Sequence, residues 1–478
     1  MEIPPFKSEV INQNPIDDHE HIVDINSPEM REHIENAKGV FAGFLRDFGE
    51  RLDFSDETSV NEVYIEAERQ GIFQHAKEIR ELIFDKNISV YGVSYLSNVC
   101  DEKCLFCPMG QSCIRTEAAK KGKRELEDEL QTGEITDERH QEIQGRLEEL
   151  QETIQRHEAH LKTLSPEEAK EDFAAVAEIG HQELCILSGS GLSLDYRKLF
   201  PYIEAAVNQE GIKEAILNLS QFREEIFQAL MEDLQHPETG IKIPDGVKLQ
   251  FRIFQETYDR DAYAYFMGKS HPLHGKGNKG NYDVKYNSQI VALRVGKQLE
   301  SQGKKGIDEV GIGTLFGLTR FPLKEIVGLQ KHTEDIFSQT GVEVKRCCLP
   351  FGNEPENSGV DIPYMIPGKF SQEGEQKAVE LVYALARLAM PTLSIVNSER
   401  DRPELLEILD QYANHTTVFV HPEPGGNIEA LKELQGQLPL EDKPIGQAEV
   451  YPRKPADAIK SWHERGYHVL GFNTQKYL

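Results

Sequence analysis

The sequence predicts an α/β protein built on a (β/α)8 barrel of the TIM type, with an N-terminal helical extension and an inserted charged helical hairpin. Three observations support this prediction. The 478 residues are enough for one large barrel with additions. Short β-prone segments alternate eight times with amphipathic ones, as strands joined by helical crossovers do. One highly charged segment interrupts the alternation. An open, doubly wound sheet would show the same alternation and stays an alternative.

The predicted strands are short runs rich in apolar and β-branched residues. They cover residues 89–95, 183–187, 214–219, 248–254, 309–313, 345–349, 392–396 and 417–421. Amphipathic segments such as residues 166–179, 287–302, 323–339 and 374–389 are predicted as crossover helices. We therefore expect a leader and helices in residues 1–87, the barrel in residues 88–426, and a C-terminal extension packed on the barrel in residues 427–478.

Residues 115–164 are the segment that breaks the alternation. They are rich in charged and helix-favouring residues, with Ile143, Leu147 and Ile154 at helical spacing and Gly133 near the predicted turn. The pattern predicts an antiparallel helical hairpin inserted after the first strand. A solvated accessory lobe fits this pattern, and so does a docking surface or a lid over the site.

Composition limits what the protein acts on. The formal net charge of -28 argues against a nucleic-acid groove or an anionic membrane surface, because both need clustered Lys and Arg. No apolar stretch approaches the roughly 20 residues that span a bilayer, and the N-terminal residues lack the pattern of a signal peptide. We expect a cytoplasmic protein with a small-molecule substrate and no nucleic-acid or membrane partner.

Three of the seven cysteines, Cys100, Cys104 and Cys107, form a C-x3-C-x2-C pattern directly after the first predicted strand. An odd count with this clustering argues against a disulfide framework and suits a reducing compartment. A short loop of three thiolates can hold a [4Fe–4S] cluster and leave one iron open. The loop lies at the C-terminal mouth of the predicted barrel, where barrel active sites form. The alternative is a structural zinc site with Cys113 as fourth ligand.

The cysteine spacing resembles the signature of the radical S-adenosylmethionine (SAM) superfamily. Other segments resemble the tyrosine-lyase branch of that superfamily, which includes the 2-iminoacetate synthase of thiamine synthesis and the [FeFe]-hydrogenase maturase, and which is related to biotin synthase. The matching segments are residues 93–98, 254–258 with Tyr263, 306–318, 424–426 and 466–477. The resemblance therefore runs from about residue 88 to the end, apart from the hairpin.

This resemblance implies two cofactors: a [4Fe–4S] cluster on Cys100, Cys104 and Cys107, and S-adenosyl-L-methionine chelated by the open iron. An electron from the cluster would cleave SAM to methionine and a 5′-deoxyadenosyl radical, which abstracts hydrogen from a small amino-acid-like substrate. Carbon–carbon lyase chemistry would follow. The implied electron donor is a flavodoxin or a ferredoxin.

Several residues are expected around these cofactors. Phe106 would pack apolar surface beside the cluster, and the glycines would let backbone approach a flat adenine ring. The polar residues would bind the amino group, ribose or methionine moiety of SAM. The set is Phe106, Ser188, Gly189, Ser190, Gln255, Glu256, Thr257, Gly311 and Gly313. A polar cluster at the barrel rim and a tight turn after the fifth strand remain the alternatives for the last five.

The substrate side departs from the tyrosine lyases, whose sixth strand ends in Pro-Arg-x-Arg-Pro. Here Phe351 and Asn353 replace both arginines. Since a guanidinium is the natural partner of an amino-acid carboxylate, we expect tyrosine to be a poor substrate. Either a different arginine takes over, or the substrate lacks a carboxylate or carries a different charge. The arginine candidates are Arg346, Arg252 and Arg400. His421 is a candidate proton donor, or a rim hydrogen-bonding group.

The C-terminus departs as well. Asn473 and Lys476 stand where the maturase carries its second-cluster cysteines, and no cysteine follows Cys348. We therefore expect neither a second cluster of that kind nor the maturase product. Two further hypotheses are kept: a biotin-synthase-like radical rearrangement or sulfur insertion, which the missing cluster disfavours, and a zinc-stabilised barrel that only binds.

Overall fold

The computed structural model describes residues 21–477, except residues 101, 103, 133–134, 190–195, 219–223, 237–239, 268–280, 308, 354–361 and 437–449. Within these residues nine parallel strands form one sheet. They are β1 (Asn87–Ser97), β2 (Glu183–Ser188), β3 (Glu214–Asn218), β4 (Lys248–Arg252), β5 (Glu309–Gly313), β6 (Arg346–Cys348), β7 (Ser394–Val396), β8 (His415–Thr417) and β9 (His468–Leu470).

The first eight strands close into a barrel. Each pairs in parallel with the next along the chain, and β1 pairs with β2 on one edge and with β8 on the other. Gly92 lies opposite Leu184 in β2, and Ser89 lies opposite His415 in β8. This closure confirms the predicted (β/α)8 barrel and excludes an open sheet, which would leave two edge strands.

Helices connect the strands, and further helices precede the first barrel strand and follow the last one along the chain. Those described are α1 (Pro28–Phe48), α2 (Glu57–Arg69), α3 (Ile72–Phe84), α4 (Pro108–Thr132), α5 (Asp137–His160), α6 (Pro166–Ile179), α7 (Tyr196–Val207), α8 (Glu224–Leu234), α9 (Arg260–Met267), α10 (Tyr282–Tyr286), α11 (Ser288–Ser301), α12 (Pro322–Thr340), α13 (Gln372–Ala389), α14 (Pro403–Leu409), α15 (Gly426–Leu434) and α16 (Pro455–Glu464). In the described part of the chain, no helix is long and apolar enough to cross a bilayer.

The N-terminal helices cover one side of the barrel. Helices α1, α2 and α3 all pack on α13, which is buried along nearly its whole length. Phe41, Phe44 and Ile83 share one core cluster with Leu381 of α13. Helix α13 is buried along most of its length because it lies between the barrel and this helical layer.

Helices α4 and α5 pack against each other as a hairpin between β1 and α6. Lys120 pairs with Glu158 at 2.8 Å near the barrel, and Arg139 pairs with Glu129 at 2.9 Å at the far end. These pairs make the two helices antiparallel. Helix α4 begins at Pro108, directly after the third cysteine and seven residues before the predicted start of the insertion. The division of the chain into domains stays a prediction.

Two strands differ from the sequence-based expectation. The eighth strand ends at Thr417 instead of starting there, because Phe419 has a φ of 60° and turns the backbone out of the ladder. Strand β9 was not predicted: its residues His468–Leu470 pair with the first residues of β1, Asn87 to Ser89, below the point where β2 begins to pair. The C-terminal residues are thereby joined to the barrel sheet.

Candidate functional site

A cavity of about 170 Å³ opens at the carboxyl ends of the barrel strands. Its walls include Tyr95, Leu187 and Asn218 from the ends of β1, β2 and β3, and Val396 from the end of β7. Arg252 at the end of β4 also lines it. This is the end of the barrel at which (β/α)8 enzymes place their active sites.

The cysteine loop borders this cavity. Cys107 and Phe106 line it, Cys104 is buried and Cys100 is half-buried. The amide of Cys107 donates to the carbonyl of Cys104 at 3.2 Å, and the amide of Leu105 donates to the carbonyl of Phe266 at 3.1 Å. The loop is thus held both by its own turn and by α9.

Two glycines shape the surroundings of the loop. A Cβ on Gly189 would collide with the carbonyl oxygen of Val99 and lie 3.2 Å from the Cβ of Cys100. A Cβ on Gly110 would collide with the carbonyl oxygen of Cys104. The end of β2 and the first turn of α4 can therefore approach the loop only with glycine at these positions.

The donor set fits an iron–sulfur cluster with one open iron. Three thiols lie on one short loop at the barrel mouth, and the cavity lies beside the third. Within the described ranges no three His, Cys, Asp or Glu side chains form a ready-made metal site. Cys113, which the zinc interpretation needs as a fourth ligand, contacts the carboxylate of Glu117 on its own helix at 3.9 Å.

Glu256 presents a carboxylate to the cavity from the segment after β4. Its φ of 70° lies in the left-handed region, which non-glycine residues rarely adopt. Its carbonyl accepts hydrogen bonds from the Thr314 hydroxyl and the Leu315 amide, both at 2.7 Å, and these contacts hold the strained backbone. Lys285 of α10 pairs with the Glu256 carboxylate at 2.9 Å and also lines the cavity.

The neighbours of Glu256 point elsewhere. The Thr257 hydroxyl donates to the buried carboxylate of Glu325 at 2.6 Å, so it fixes α12 and does not reach the cavity. Gln255 is buried, is absent from the cavity lining, and its side-chain amide has no hydrogen-bond partner in the described structure. Of the three predicted cofactor-binding residues in this segment, the structure brings only Glu256 to the cavity.

The glycines of β5 have a different role from the expected one. A Cβ on Gly311 would lie 3.1 Å from the Arg252 side chain, and a Cβ on Gly313 would lie 2.9 Å from the Phe254 ring. The two glycines make room inside the barrel for the side chains of Arg252 in β4 and of Phe254 just after it, and neither glycine lines the cavity. Ser188 does line it. Ser190 lies outside the described residues.

The three candidate arginines differ in whether they line the cavity. Arg346 is fully buried and pairs with Glu183 at 3.1 Å and Glu214 at 2.8 Å, away from the cavity lining. Its placement corrects the suggestion that it binds substrate, because its charge is already neutralised. Arg252 and Arg400 both line the cavity.

The remaining substrate candidates lie around the cavity and not in its lining. Phe351 is a core residue, stacked on Phe316 with ring centroids 5.2 Å apart. Asn353 contacts Arg400, accepting from its guanidinium at 3.4 Å and donating to its carbonyl at 3.3 Å. His421 is buried with its ring edge-on to Phe419 at 4.9 Å. Asn353 thereby has a direct link to a cavity-lining side chain, that of Arg400.

Two parts of the site were missed by the sequence analysis. Lys285 gave no signal, because a lysine on a short polar helix reads as exposed. The C-terminal extension also reaches the cavity: Val450 lines it, and Arg453 donates its backbone amide at 2.7 Å to Glu399, another lining residue. Burial raises the pKa of Glu399, and the Arg453 guanidinium at 3.4 Å opposes that rise. Such contacts join residues far apart in sequence and have no local pattern.

Comparison with known proteins gives curated relatives over most of the chain. No family model matches. The chain is 21% identical over 387 residues to the 2-iminoacetate synthase of Escherichia coli strain K12, covering 78% of this chain and 77% of that protein. It is 22% identical over 380 residues to the 2-iminoacetate synthase of Salmonella typhimurium, covering 77% and 75%.

Solved structures share the fold. The FeFe-hydrogenase maturase HydG from Carboxydothermus hydrogenoformans matches with a TM-score of 0.59 at 19% identity, over 92% of this chain and 80% of that one. Methylornithine synthase (PylB) matches with a TM-score of 0.51 at 14% identity, over 90% and 97%. At these identities the two structures bear on the fold alone, and both agree with the closed barrel.

Proposed function

We infer that this chain belongs to the radical SAM superfamily, in the branch of the tyrosine lyases, and propose that it cleaves a carbon–carbon bond of a small amino-acid-like substrate. One observation carries the proposal: the C-x3-C-x2-C loop borders the cavity at the carboxyl mouth of a closed (β/α)8 barrel. The relatives support it, because the resemblance first seen in the motifs extends over about three quarters of the chain.

In this proposal Cys100, Cys104 and Cys107 hold a [4Fe–4S] cluster, and the cavity receives SAM and then the substrate. The bound cluster supplies the electron that cleaves SAM to methionine and a 5′-deoxyadenosyl radical. The protein's own residues hold the reactants and exclude water. Phe106, Val93 and Leu315 supply apolar walls. The Glu256 carboxylate, held by Lys285, is available to accept hydrogen bonds from hydroxyl or amino groups.

The lyase outcome is favoured over sulfur insertion. Sulfur insertion needs a sulfur source, and no cysteine after Cys348 could bind a second cluster as the maturase does. A radical rearrangement starts with the same hydrogen abstraction and is the second candidate. Products decide between them: a lyase releases two fragments, whereas a rearrangement conserves the mass of the substrate.

The direct test is anaerobic reconstitution with iron and sulfide, followed by reduction with dithionite in the presence of SAM. We expect broad absorbance at about 400 nm that bleaches on reduction, and formation of 5′-deoxyadenosine. A panel of amino acids is then added and products are followed by mass spectrometry. Stoichiometric zinc without iron, or a cluster that never yields 5′-deoxyadenosine, would contradict the proposal.

The electron donor is proposed to be an acidic flavodoxin or ferredoxin that docks at the base of the α4–α5 hairpin. Residues 108–124, which follow the cysteine loop, carry five basic side chains and one acidic one, whereas residues 125–149 carry ten acidic and two basic ones. Arg115, Lys120, Lys121 and Arg124 are exposed. A basic surface beside the cysteine loop, on a chain with a net charge of -28, would attract an acidic partner to the place where the electron must enter.

A further inference from the structure

The charged side chains that line the cavity fall into two groups. Glu256 is paired with Lys285 at 2.9 Å, and Glu399 is paired with Arg453 at 3.4 Å. Arg252 and Arg400 line the same cavity, and within the described part of the chain neither makes an ion pair. The cavity therefore has an excess of positive charge in a place shielded from water, where a charge without a partner is costly.

Arg400 is the more available of the two arginines. Arg252 is already engaged: it lies over the Tyr91 ring with its guanidinium carbon 4.9 Å from the centroid, and it donates to Gln250 at 3.3 Å and to the Cys348 sulfur at 3.6 Å. The guanidinium of Arg400 has one hydrogen bond, to the neutral side chain of Asn353 at 3.4 Å. Its Nε has no acceptor in the described structure.

Nearby acids do not neutralise Arg400. Asp401 is the next residue, but burial raises the pKa of its carboxyl to about 7, so at and below neutral pH much of it is protonated. Glu375 is paired with Arg402 at 2.9 Å. Burial lowers the pKa of Arg400 itself and outweighs the opposing effect of Asp401 and of Glu256, the latter already paired with Lys285. A ligand carboxylate would supply a counter-charge.

We propose that Arg400 binds the carboxylate of the substrate and that Asn353 positions its guanidinium for this contact. This inference rests on the proposed function and narrows it to substrates with a free carboxylate. It also explains how the site can lack arginines at positions 351 and 353: Asn353 does not contact the ligand but orients an arginine supplied by the segment after β7. Two donors of a guanidinium can meet both oxygens of a carboxylate.

The variant that tests this is Arg400→Gln, with Arg402→Gln as the matched control. Arg402 lies two residues away, carries the same charge, and does not line the main cavity. The probes are the proteinogenic L-amino acids and their α-carboxamides, in which an uncharged amide replaces the α-carboxylate. Binding to the reconstituted, unreduced enzyme with SAM is screened by thermal shift and quantified by calorimetry, so that no radical step enters the measurement.

We expect at least one amino acid to bind roughly 10- to 100-fold more tightly than its carboxamide, the range of a charge-assisted hydrogen bond. Arg400→Gln should remove that preference and raise the KM of the same amino acid in the 5′-deoxyadenosine assay. Arg402→Gln should keep the preference. If carboxamides bind as well as carboxylates, if no amino acid binds, or if Arg400→Gln weakens SAM binding instead, the inference is wrong.

Asn353→Asp gives a second, independent test of the positioning role. A carboxylate at this position would neutralise Arg400 from within, although the arginine itself is retained. We expect the carboxylate preference to fall as it does in Arg400→Gln, with KM affected more than kcat. An Asn353→Asp enzyme with the parent's preference would contradict the positioning role. Failure of the proposed function is distinct from all these outcomes, because the parent would then bind no cluster or release no 5′-deoxyadenosine.

Discussion

At the scale of single residues, the Glu256–Lys285 pair is the contact that holds a strained carboxylate in the cavity. Lys285→Met would remove the ammonium group that pairs with the Glu256 carboxylate, and the Glu256 side chain is only 14% exposed. Breaking such a pair costs about 3–5 kcal/mol. We expect that loss in the free energy of unfolding measured with urea, together with impaired SAM cleavage.

The control for this prediction is the double variant Glu256→Gln/Lys285→Met, which removes both charges. It should recover most of the lost stability but not the activity, because the hydrogen-bonding carboxylate is gone. A double variant no more stable than Lys285→Met would show that Lys285 acts through packing instead of charge.

Substitution of Gly189 is expected to cause a selective loss of the cluster. In Gly189→Ala the new methyl group collides with the carbonyl of Val99, so the backbone ahead of Cys100 must shift. We expect reconstituted Gly189→Ala to retain little iron while its far-ultraviolet circular dichroism stays that of the parent. Gly145→Ala is the matched control: Gly145 is exposed on α5 with nothing within 4 Å of the new methyl group, so iron content should not change. Normal iron content in Gly189→Ala would mean that the loop tolerates the shift.

Asp401 predicts a pH dependence of stability. Its pKa in the folded protein is about 7, above its unfolded value of about 3.9, because burial penalises the charged form. The fold therefore favours the protonated acid, and this stabilisation is complete below pH 4 and is lost as the pH rises through 7. The loss is on the order of 4 kcal/mol for a shift of this size. Arg400 and Glu375 face the same carboxyl and act in opposite directions on it.

The measurement is the free energy of unfolding of the parent and of Asp401→Asn between pH 5 and pH 8. The difference between the two proteins should change in favour of Asp401→Asn as the pH rises, since asparagine has no proton to lose. A difference that stays constant over this range would mean that Asp401 ionises with an ordinary pKa.

Residue types in the sequence predicted the chemistry of the site better than they predicted which residues line the cavity. The cysteine spacing predicted the chemistry, and the position of the loop directly after the first strand placed it at the barrel mouth. Thr257 and Gln255 flank Glu256 in sequence, yet of the three only Glu256, whose backbone has the left-handed conformation, lines the cavity. That conformation is stabilised by Thr314 and Leu315, which no local pattern reveals.

At the scale of elements, the basic side chains at the base of the hairpin lead to a prediction about reduction by flavodoxin. Lys120→Glu/Lys121→Glu/Arg124→Glu reverses the basic base of α4. We expect it to slow 5′-deoxyadenosine formation driven by reduced flavodoxin by at least tenfold at low salt, because steered association depends on opposite charges. The rate driven by dithionite should be that of the parent.

The control places the same number of reversed charges at the acidic part of the hairpin, as in Glu138→Lys/Glu148→Lys/Glu149→Lys. These positions are far from the cysteine loop in sequence and should not slow flavodoxin-driven turnover. Equal rates for parent and basic-base variant with flavodoxin would remove the hairpin from the docking surface.

Element existence was predictable and element ends were not. All eight barrel strands lie within or across predicted runs, because strands buried on both faces are continuously apolar and are separated by amphipathic helices. Strand β9 has only three residues, too few for any periodicity, and exists because the amino end of β1 offers an unpaired edge there. The shift of β8 follows from the backbone turn at Phe419, whose sequence, Val418-Phe-Val420, reads as strand.

At the scale of the whole molecule, both ends of the chain support the barrel. The N-terminal helices cover α13, and the C-terminal residues add β9 to the sheet and bring Val450 to the cavity wall. Trp462 of α16 is fully buried and donates to Asp410 at 2.8 Å, which fixes the extension to the end of α14. The cavity is therefore completed only when residues about 350 apart in sequence have come together.

The central claim is that three specific thiolates hold one cluster that cleaves SAM. The most direct measurement compares Cys104→Ala with Cys113→Ala after anaerobic reconstitution, counting iron and 5′-deoxyadenosine per chain. We predict that Cys104→Ala yields no 5′-deoxyadenosine and that Cys113→Ala yields as much as the parent. An unchanged yield in Cys104→Ala, or loss of the metal in Cys113→Ala as a four-cysteine zinc site requires, would contradict the claim.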